Sequence, residues 1–179
     1  MVLTNIFAGF GGQGVLLIGK LVAYAGMDEG RNVSWLPSYG PEMRGGTANC
    51  SVVVSDDPIA SPVLSMADCV IAMNTPSLDK FEANVLPGGK LFINSSIIAK
   101  KATRTDIDVY YVPCNAIADQ LGNPKVLNMA MLGAYLEATK VVGVESVLQA
   151  LLHSLGEKKA HLIPLNRQAI EMGAESIRK

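Results

Sequence analysis

Cysteine is scarce and never clustered in this chain: Cys50, Cys69 and Cys114 are scattered, with no CxxC pair among them. That spacing fits reduced thiols in a cytoplasmic protein and excludes a self-contained zinc or iron–sulfur site. Histidine is scarcer still. His153 and His161 are too few for an all-histidine metal site, and neither has a Ser or Cys motif nearby to serve. Charge is thin as well, with 17% charged residues against 49% hydrophobic ones and a formal net charge of −1. This balance describes a compact globular protein and supplies no basic stripe for nucleic acid. So little charge also suggests that partner subunits cover some of the surface. No apolar run reaches the ~18 residues of a membrane span, since Lys20 interrupts the best candidate. The N-terminus lacks a basic n-region and a cleavage site, so no signal peptide is expected.

What is present is an alternation of short apolar strands and longer helical patterns, enough for one domain over residues 1–179. Strands are expected at Thr4–Ala8, Val33–Leu36, Thr47–Val54, Cys69–Met73, Lys90–Asn94 and Val109–Val112. Helices are expected at Gln13–Glu29, Pro76–Asn84, Val126–Lys140, Val144–Leu155 and Pro164–Ile177, with a short one over Ser61–Met66. The first helix is apolar nearly all round, Tyr24 included, and should be buried, with Gly30 ending it. Asn74 or Thr75 caps the second long helix, and Leu86-Pro87-Gly88-Gly89 reads as a turn. The Gly133-Ala134 pair allows close packing against a sheet or another helix. The link between strands two and three is about ten residues of Gly- and Pro-rich sequence, too short for the helix of a parallel crossover. Those strands are therefore antiparallel neighbours or lie apart. The fold class is α/β: a three-layer α/β/α, Rossmann-like domain with a mostly parallel, mixed sheet.

Two stretches could carry function. Gly9-Phe10-Gly11-Gly12-Gln13-Gly14 matches G-x-G-x-x-G between a strand and a helix. A dinucleotide reading also needs an acid at the end of strand two to bind ribose, and Leu36–Ser38 supplies none. The alternatives are an anion at the helix N-terminus, a closely packed neighbouring chain, or a tight turn with no ligand. The second stretch, Ser38–Gly46, places Tyr39, Glu42 and Arg44 between glycines. Arg44 either pairs with Glu42 or presents a planar donor to a carboxylate or phosphate. Asn74-Thr75 and Asn94-Ser95-Ser96 read as caps and turn formers, and Cys50 and Cys69 as inert core. No nucleophile–base pair or carboxylate dyad is in view.

Taken together, Gly9–Gly14 and Ser38-Tyr39-Gly40-Pro41-Glu42-Met43-Arg44-Gly45-Gly46 resemble the gamma subunit, or equivalent fused domain, of the 2-oxoacid:ferredoxin oxidoreductases. The likeness extends over nearly the whole chain and includes Leu86–Gly89, Asn128–Gly133 and Ile163-Pro164-Leu165-Asn166. It implies a multi-subunit cytoplasmic enzyme that decarboxylates a 2-oxoacid, with 2-oxoglutarate or a branched-chain 2-oxoacid favoured, and transfers the acyl group to coenzyme A. By the same resemblance, thiamine diphosphate and the iron–sulfur clusters belong to alpha, beta and ferredoxin-like delta partners, and ferredoxin accepts the electrons. The gamma part then helps build the coenzyme A-accessible face, through Gly9, Gly11, Gly12, Gln13, Gly14, Tyr39, Glu42 and Arg44. No residue here is assigned to the chemical steps. An indolepyruvate oxidoreductase subunit and a stand-alone nucleotide- or coenzyme A-binding module are the alternatives.

Overall fold

A computed structural model describes residues 1–38 and 47–178. The strands are β1 (Val2–Phe10), β2 (Asn32–Ser38), β3 (Thr47–Ser55), β4 (Ala67–Ala72), β5 (Val85–Asn94) and β6 (Asp108–Val112). The α-helices are α1 (Val15–Asp28), α2 (Thr75–Phe81), α3 (Cys114–Gln120), α4 (Leu127–Thr139), α5 (Val144–Leu155) and α6 (Ile163–Ile177). One six-stranded sheet runs in the order β2-β3-β1-β4-β5-β6. β1, β4, β5 and β6 are parallel, while β3 lies antiparallel to both β1 and β2. The short link after β2 therefore does what its length allows, and returns the chain as an antiparallel neighbour.

Side chains alternate across the sheet and divide the core in two. Phe7, Val52, Val54, Ile71 and Phe92 pack on one face beneath α1, α3, α4, α5 and α6. Ile6, Val70, Ala72, Leu91 and Ile93 face α2 and the irregular segment 95–107. The second layer is thin, and a buried carboxylate holds it together. Glu82 Oε1 accepts hydrogen bonds from Thr103 N, Thr103 Oγ1 and Arg104 N, at 2.6, 3.2 and 3.1 Å.

α1 ends in a Schellman motif: Arg31 N donates to Gly26 O and Gly30 N to Met27 O, both at 2.9 Å, with Gly30 at φ +80°. The helix is not buried all round, because Tyr24 and Met27 stand 43% and 56% exposed. Ser61–Met66 forms bends instead of a helix. Ser61 Oγ accepts from Val63 N, a local bond that competes with helix formation. The expected turn Leu86–Gly89 lies inside β5, where the pairing with β4 jumps from Ala67↔Val85 to Cys69↔Lys90. Gly88, at φ +78°, bends out there and donates to Asp106 O at 2.8 Å. The helix α3 is an element that the strand-and-helix pattern did not bring out.

α4 is pinned to the middle of the sheet. Its Tyr135 hydroxyl donates to Asn5 Oδ1 at 2.8 Å, and Asn5 Nδ2 donates to Val52 O and Leu3 O at 3.1 and 3.3 Å. Both side chains are fully buried, and the ring meets Phe7 and Phe92 edge-on. Burial, with smaller contributions from the nearby Cys69 and Asp68, drives the phenol pKa well above its ordinary value, so Tyr135 stays protonated as a donor. Tyr135→Phe leaves Asn5 Oδ1 buried without this partner and is expected to lower stability by about 1–2 kcal/mol. Urea denaturation measures this, and an unchanged midpoint would show that the hydroxyl contributes nothing.

Candidate functional site at the carboxyl edge

The glycine stretch forms the tip of β1 and the entry to α1, so it lies at the carboxyl edge of the parallel strands. Gln13 N donates to Phe10 O at 3.1 Å, closing a tight turn. Gly12 and Gly14 hold φ of +92° and +76°, a left-handed region that L side chains rarely adopt. Gly11 and Gly12 are exposed, whereas Gly9 is buried. No side chain caps the first-turn N–H groups of α1, so its positive dipole end faces this edge.

The Gln13 amide lies back over the turn. Its Oε1 accepts from Phe10 N at 2.6 Å and from Asn74 Nδ2 at 3.4 Å, and its Nε2 donates to Met73 O at 3.1 Å. On the other side, Asn128 Nδ2 donates to Gly14 O at 3.4 Å, which brings the start of α4 against the turn. Asn128 was legible as part of a motif, but its pairing with a residue 114 positions away had no local signal. Further along the edge, Asn74 Oδ1 caps α2 by accepting from Ser77 N at 2.9 Å. Asn94 Nδ2 donates to Asn115 Oδ1 at 2.9 Å, and Ser96 Oγ accepts from Asn115 N and Ala116 N at the start of α3. These polar residues act as caps and turn formers.

Tyr39, Glu42 and Arg44 lie outside the described residues. The strands flanking that segment do reach the site's edge, since Phe10 pairs with Thr47 and Ser38 with Asn49. The groups gathered at the turn are backbone, amides and an exposed Phe10, none of which ionises near neutral pH. Among the described residues, such a surface can hold and orient a ligand or a neighbouring chain and offers no group to shuttle a proton.

The three thiols fit no cluster. Burial pushes Cys50 and Cys69 up to about 12 and raises Cys114 as well, so all remain neutral packing groups. No group of His, Cys, Asp and Glu among the described residues could hold a metal ion. A cleft of about 630 Å³ opens at the opposite edge, lined by Glu29, Arg31, Glu137, Lys140 and Arg178 among others. Three of its charges are paired with one another. Arg178 Nε and Lys140 Nζ sit 2.9 and 2.8 Å from the Glu137 carboxylate, and their hydrogen bonds hold its pKa down to about 2. In open α/β sheets, ligands bind outside the carboxyl ends of the strands, which favours the glycine turn over this cleft.

Comparison with known proteins adds what the geometry cannot. The model of the pyruvate ferredoxin/flavodoxin oxidoreductase family matches residues 4–176. The chain belongs to that family. Among its relatives, the ketoisovalerate oxidoreductase subunit VorA of Methanothermobacter marburgensis is 38% identical over 174 residues, 96% of this chain and 36% of VorA. The chain thus spans about a third of the length of that relative. The 2-oxoglutarate synthase subunit KorC of Methanocaldococcus jannaschii is 31% identical over 165 residues, covering 89% of this chain and 88% of KorC. Among solved structures, the gamma subunit of the Geobacter sulfurreducens keto/oxoacid ferredoxin oxidoreductase superposes with a TM-score of 0.80 at 30% identity, over 97% of both chains. The 2-oxoglutarate:ferredoxin oxidoreductase of Magnetococcus marinus, solved with 2-oxoglutarate, coenzyme A and succinyl-CoA, shares the fold at TM-score 0.90 and 21% identity. It matches over 99% of this chain and 32% of its own. As in these family structures, the sheet is mixed, mostly parallel and flanked by helices. No helix among the described residues is long and apolar enough to cross a membrane.

Proposed function

We propose that this chain is the gamma-type component of a cytoplasmic 2-oxoacid:ferredoxin oxidoreductase that converts a 2-oxoacid to its acyl-CoA. The observation that carries this reading is the family match across nearly the whole chain, joined to a carboxyl-edge turn whose described groups are suited to binding. Relatives named for ketoisovalerate and for 2-oxoglutarate support a branched-chain 2-oxoacid or 2-oxoglutarate as substrate. Iron–sulfur clusters do not fit this chain, because its thiols are buried, neutral and uncombined among the described residues. On the family resemblance, clusters and thiamine diphosphate are assigned to alpha, beta and delta-type partners, with ferredoxin as acceptor. Coenzyme A fits better. Exposed backbone at Gly11 and Gly12, beside an uncapped helix N-terminus, suits a phosphorylated ligand or a partner's carboxylate. Gly9, Gly14 and Gln13 shape that turn, and Tyr39, Glu42 and Arg44 are assigned to the same surface on the family resemblance.

The test expresses the chain alone and with its alpha and beta partners, and follows acyl-CoA formation. Turnover is expected with the partners and not from the lone chain; appreciable activity of the chain by itself would sink the assignment. In the complex, Arg44→Ala is expected to weaken assembly or raise KM for coenzyme A by roughly 1.5–3 kcal/mol, the scale of a charge-assisted hydrogen bond. Unchanged assembly and kinetics would leave Arg44 as a local salt-bridge partner of Glu42.

A further inference from the structure

The sheet order places a topological switch between β1 and β4. α1 follows β1 onto one face, and α2 follows β4 onto the other. In dinucleotide-binding sheets, the crevice at such a switch receives the pyrophosphate, and the glycines let the backbone approach it. Here the crevice lies between the glycine turn and Met73-Asn74, where Met73 N donates to Ala8 O at 2.9 Å.

We infer that the side chain of Gln13 fills this crevice as an internal stopper, and so determines specificity by excluding a dinucleotide from the switch point. Three contacts seat it there. Its oxygen takes Phe10 N–H at 2.6 Å and Asn74 Nδ2 at 3.4 Å, and its nitrogen gives to Met73 O at 3.1 Å. One amide thus uses both its acceptor and its donor, bridging the end of β1 to the end of β4. The motif's first glycine serves this closure. A Cβ at Gly9 would lie 2.7 Å from Gln13 Oε1 and 2.9 Å from Met73 Cβ, so Gly9 leaves room for glutamine. Gly14 likewise accommodates Asn128. Two of the three glycines of the dinucleotide pattern, Gly9 and Gly14, therefore make room for this chain's own side chains. A pyrophosphate entering the switch point would have to break all three Gln13 contacts and displace the amide. The lack of an acid at the end of β2, over Leu36–Ser38, is a separate obstacle, acting on the ribose and not on the phosphates.

This inference holds whether or not the outer tip meets coenzyme A, and its test needs no partner subunits. The probe is NAD, titrated into the full chain while backbone and side-chain amides are followed by NMR. In the wild type, the Phe10 amide is expected to exchange slowly with solvent, and NAD should leave the Phe10 and Gln13 amide signals in place. Gln13→Ala opens the crevice and should raise NAD affinity at least tenfold, with shifts centred on Phe10 and Met73. Gln13→Met fills the same space without an amide; it should still exclude NAD while the Phe10 amide loses its protection. Saturable NAD binding by the wild type with displacement of the Gln13 signal would overturn the inference. So would a Gln13→Ala protein as indifferent to NAD as the wild type. Should the alanine variant not fold, the wild-type readout decides alone, because a rapidly exchanging Phe10 amide rules out the stopper.

Discussion

Gly133→Ala and Gly173→Ala are each expected to destabilise the protein by about 3–4 kcal/mol, beyond the usual range for a single added methyl. The reason is a reciprocal contact between α4 and α6. A Cβ on Gly133 would strike the Ile170 carbonyl oxygen and come within 2.7 and 2.8 Å of Ile170 C and Cα. A Cβ on Gly173 would meet Ala130 in the same way, with its C and Cα at 2.6 and 2.9 Å. These are backbone atoms, which cannot rotate away, so the helices must separate along their whole crossing. Separation would loosen packing around Ala130, Ala169 and Ile170, all buried in the main core. Alanine also has a helix propensity about 1 kcal/mol better than glycine. At an exposed helical site, either change would therefore stabilise, which makes the sign of the effect diagnostic. Once one methyl has pushed the helices apart, the second should cost less. The double variant is expected to fall short of the sum by about 1 kcal/mol or more. Urea denaturation of the two single variants and the double variant measures all three quantities; a single variant as stable as the wild type would refute the close crossing.

The same crossing shows which features could be read from the chain. Gly133-Ala134 announced a close approach, but the sequence could not say to what, because Gly173 lies forty residues away in a helix of its own. The strands were legible because their apolar runs are covered by helices on one face and by α2 with the segment 95–107 on the other. The short link narrowed β3 to an antiparallel neighbour of β2 or a strand lying apart, because the eight residues between Ser38 and Thr47 leave no room for a crossover helix, and the sheet takes the first arrangement. α3 was hidden in spite of apolar spacing at Cys114, Ile117 and Ala118. It is only seven residues long, and its N-terminal cap comes from Ser96 in a distant loop. At the candidate site, the glycines were found at once but their roles were not. The internal seat of the Gln13 amide left no residue-type signature, because two of its three partners, Phe10 N and Met73 O, are backbone atoms and the third, Asn74, lies 61 positions away. The position of the turn can be read locally; what fills the space beside it depends on tertiary contacts.

Gly14→Ala tests that distinction, with an expected cost of about 2–4 kcal/mol. Its left-handed φ of +76° alone costs an L residue roughly 1–2 kcal/mol. The methyl would also run into Asn128, meeting its Nδ2 and lying 2.7 Å from Cγ and 3.0 Å from Cβ. Asn128 is buried, so turning it aside breaks its bond to Gly14 O and disturbs the first turn of α4. Gly12→Ala is the matched control. It too has a left-handed backbone, at φ +92°, but its Cβ would meet nothing within 4 Å. Its cost should therefore be confined to the backbone, about 1–2 kcal/mol. Asn128→Ala provides the second control, because removing the amide leaves only the Cβ near the new methyl. In that background, Gly14→Ala should cost measurably less than in the wild type, a coupling visible in a double-mutant cycle. Equal losses for Gly12→Ala and Gly14→Ala would mean that Asn128 yields freely and that the last glycine of the motif is there for its backbone alone. A larger loss at Gly14, relieved by Asn128→Ala, would mean that the glycine turn is fitted to the start of α4. Because α4 is also tied to β1 through Tyr135 and to α6 through Gly133, the exposed tip at Gly11 and Gly12 would then be held in place by the protein's central helix.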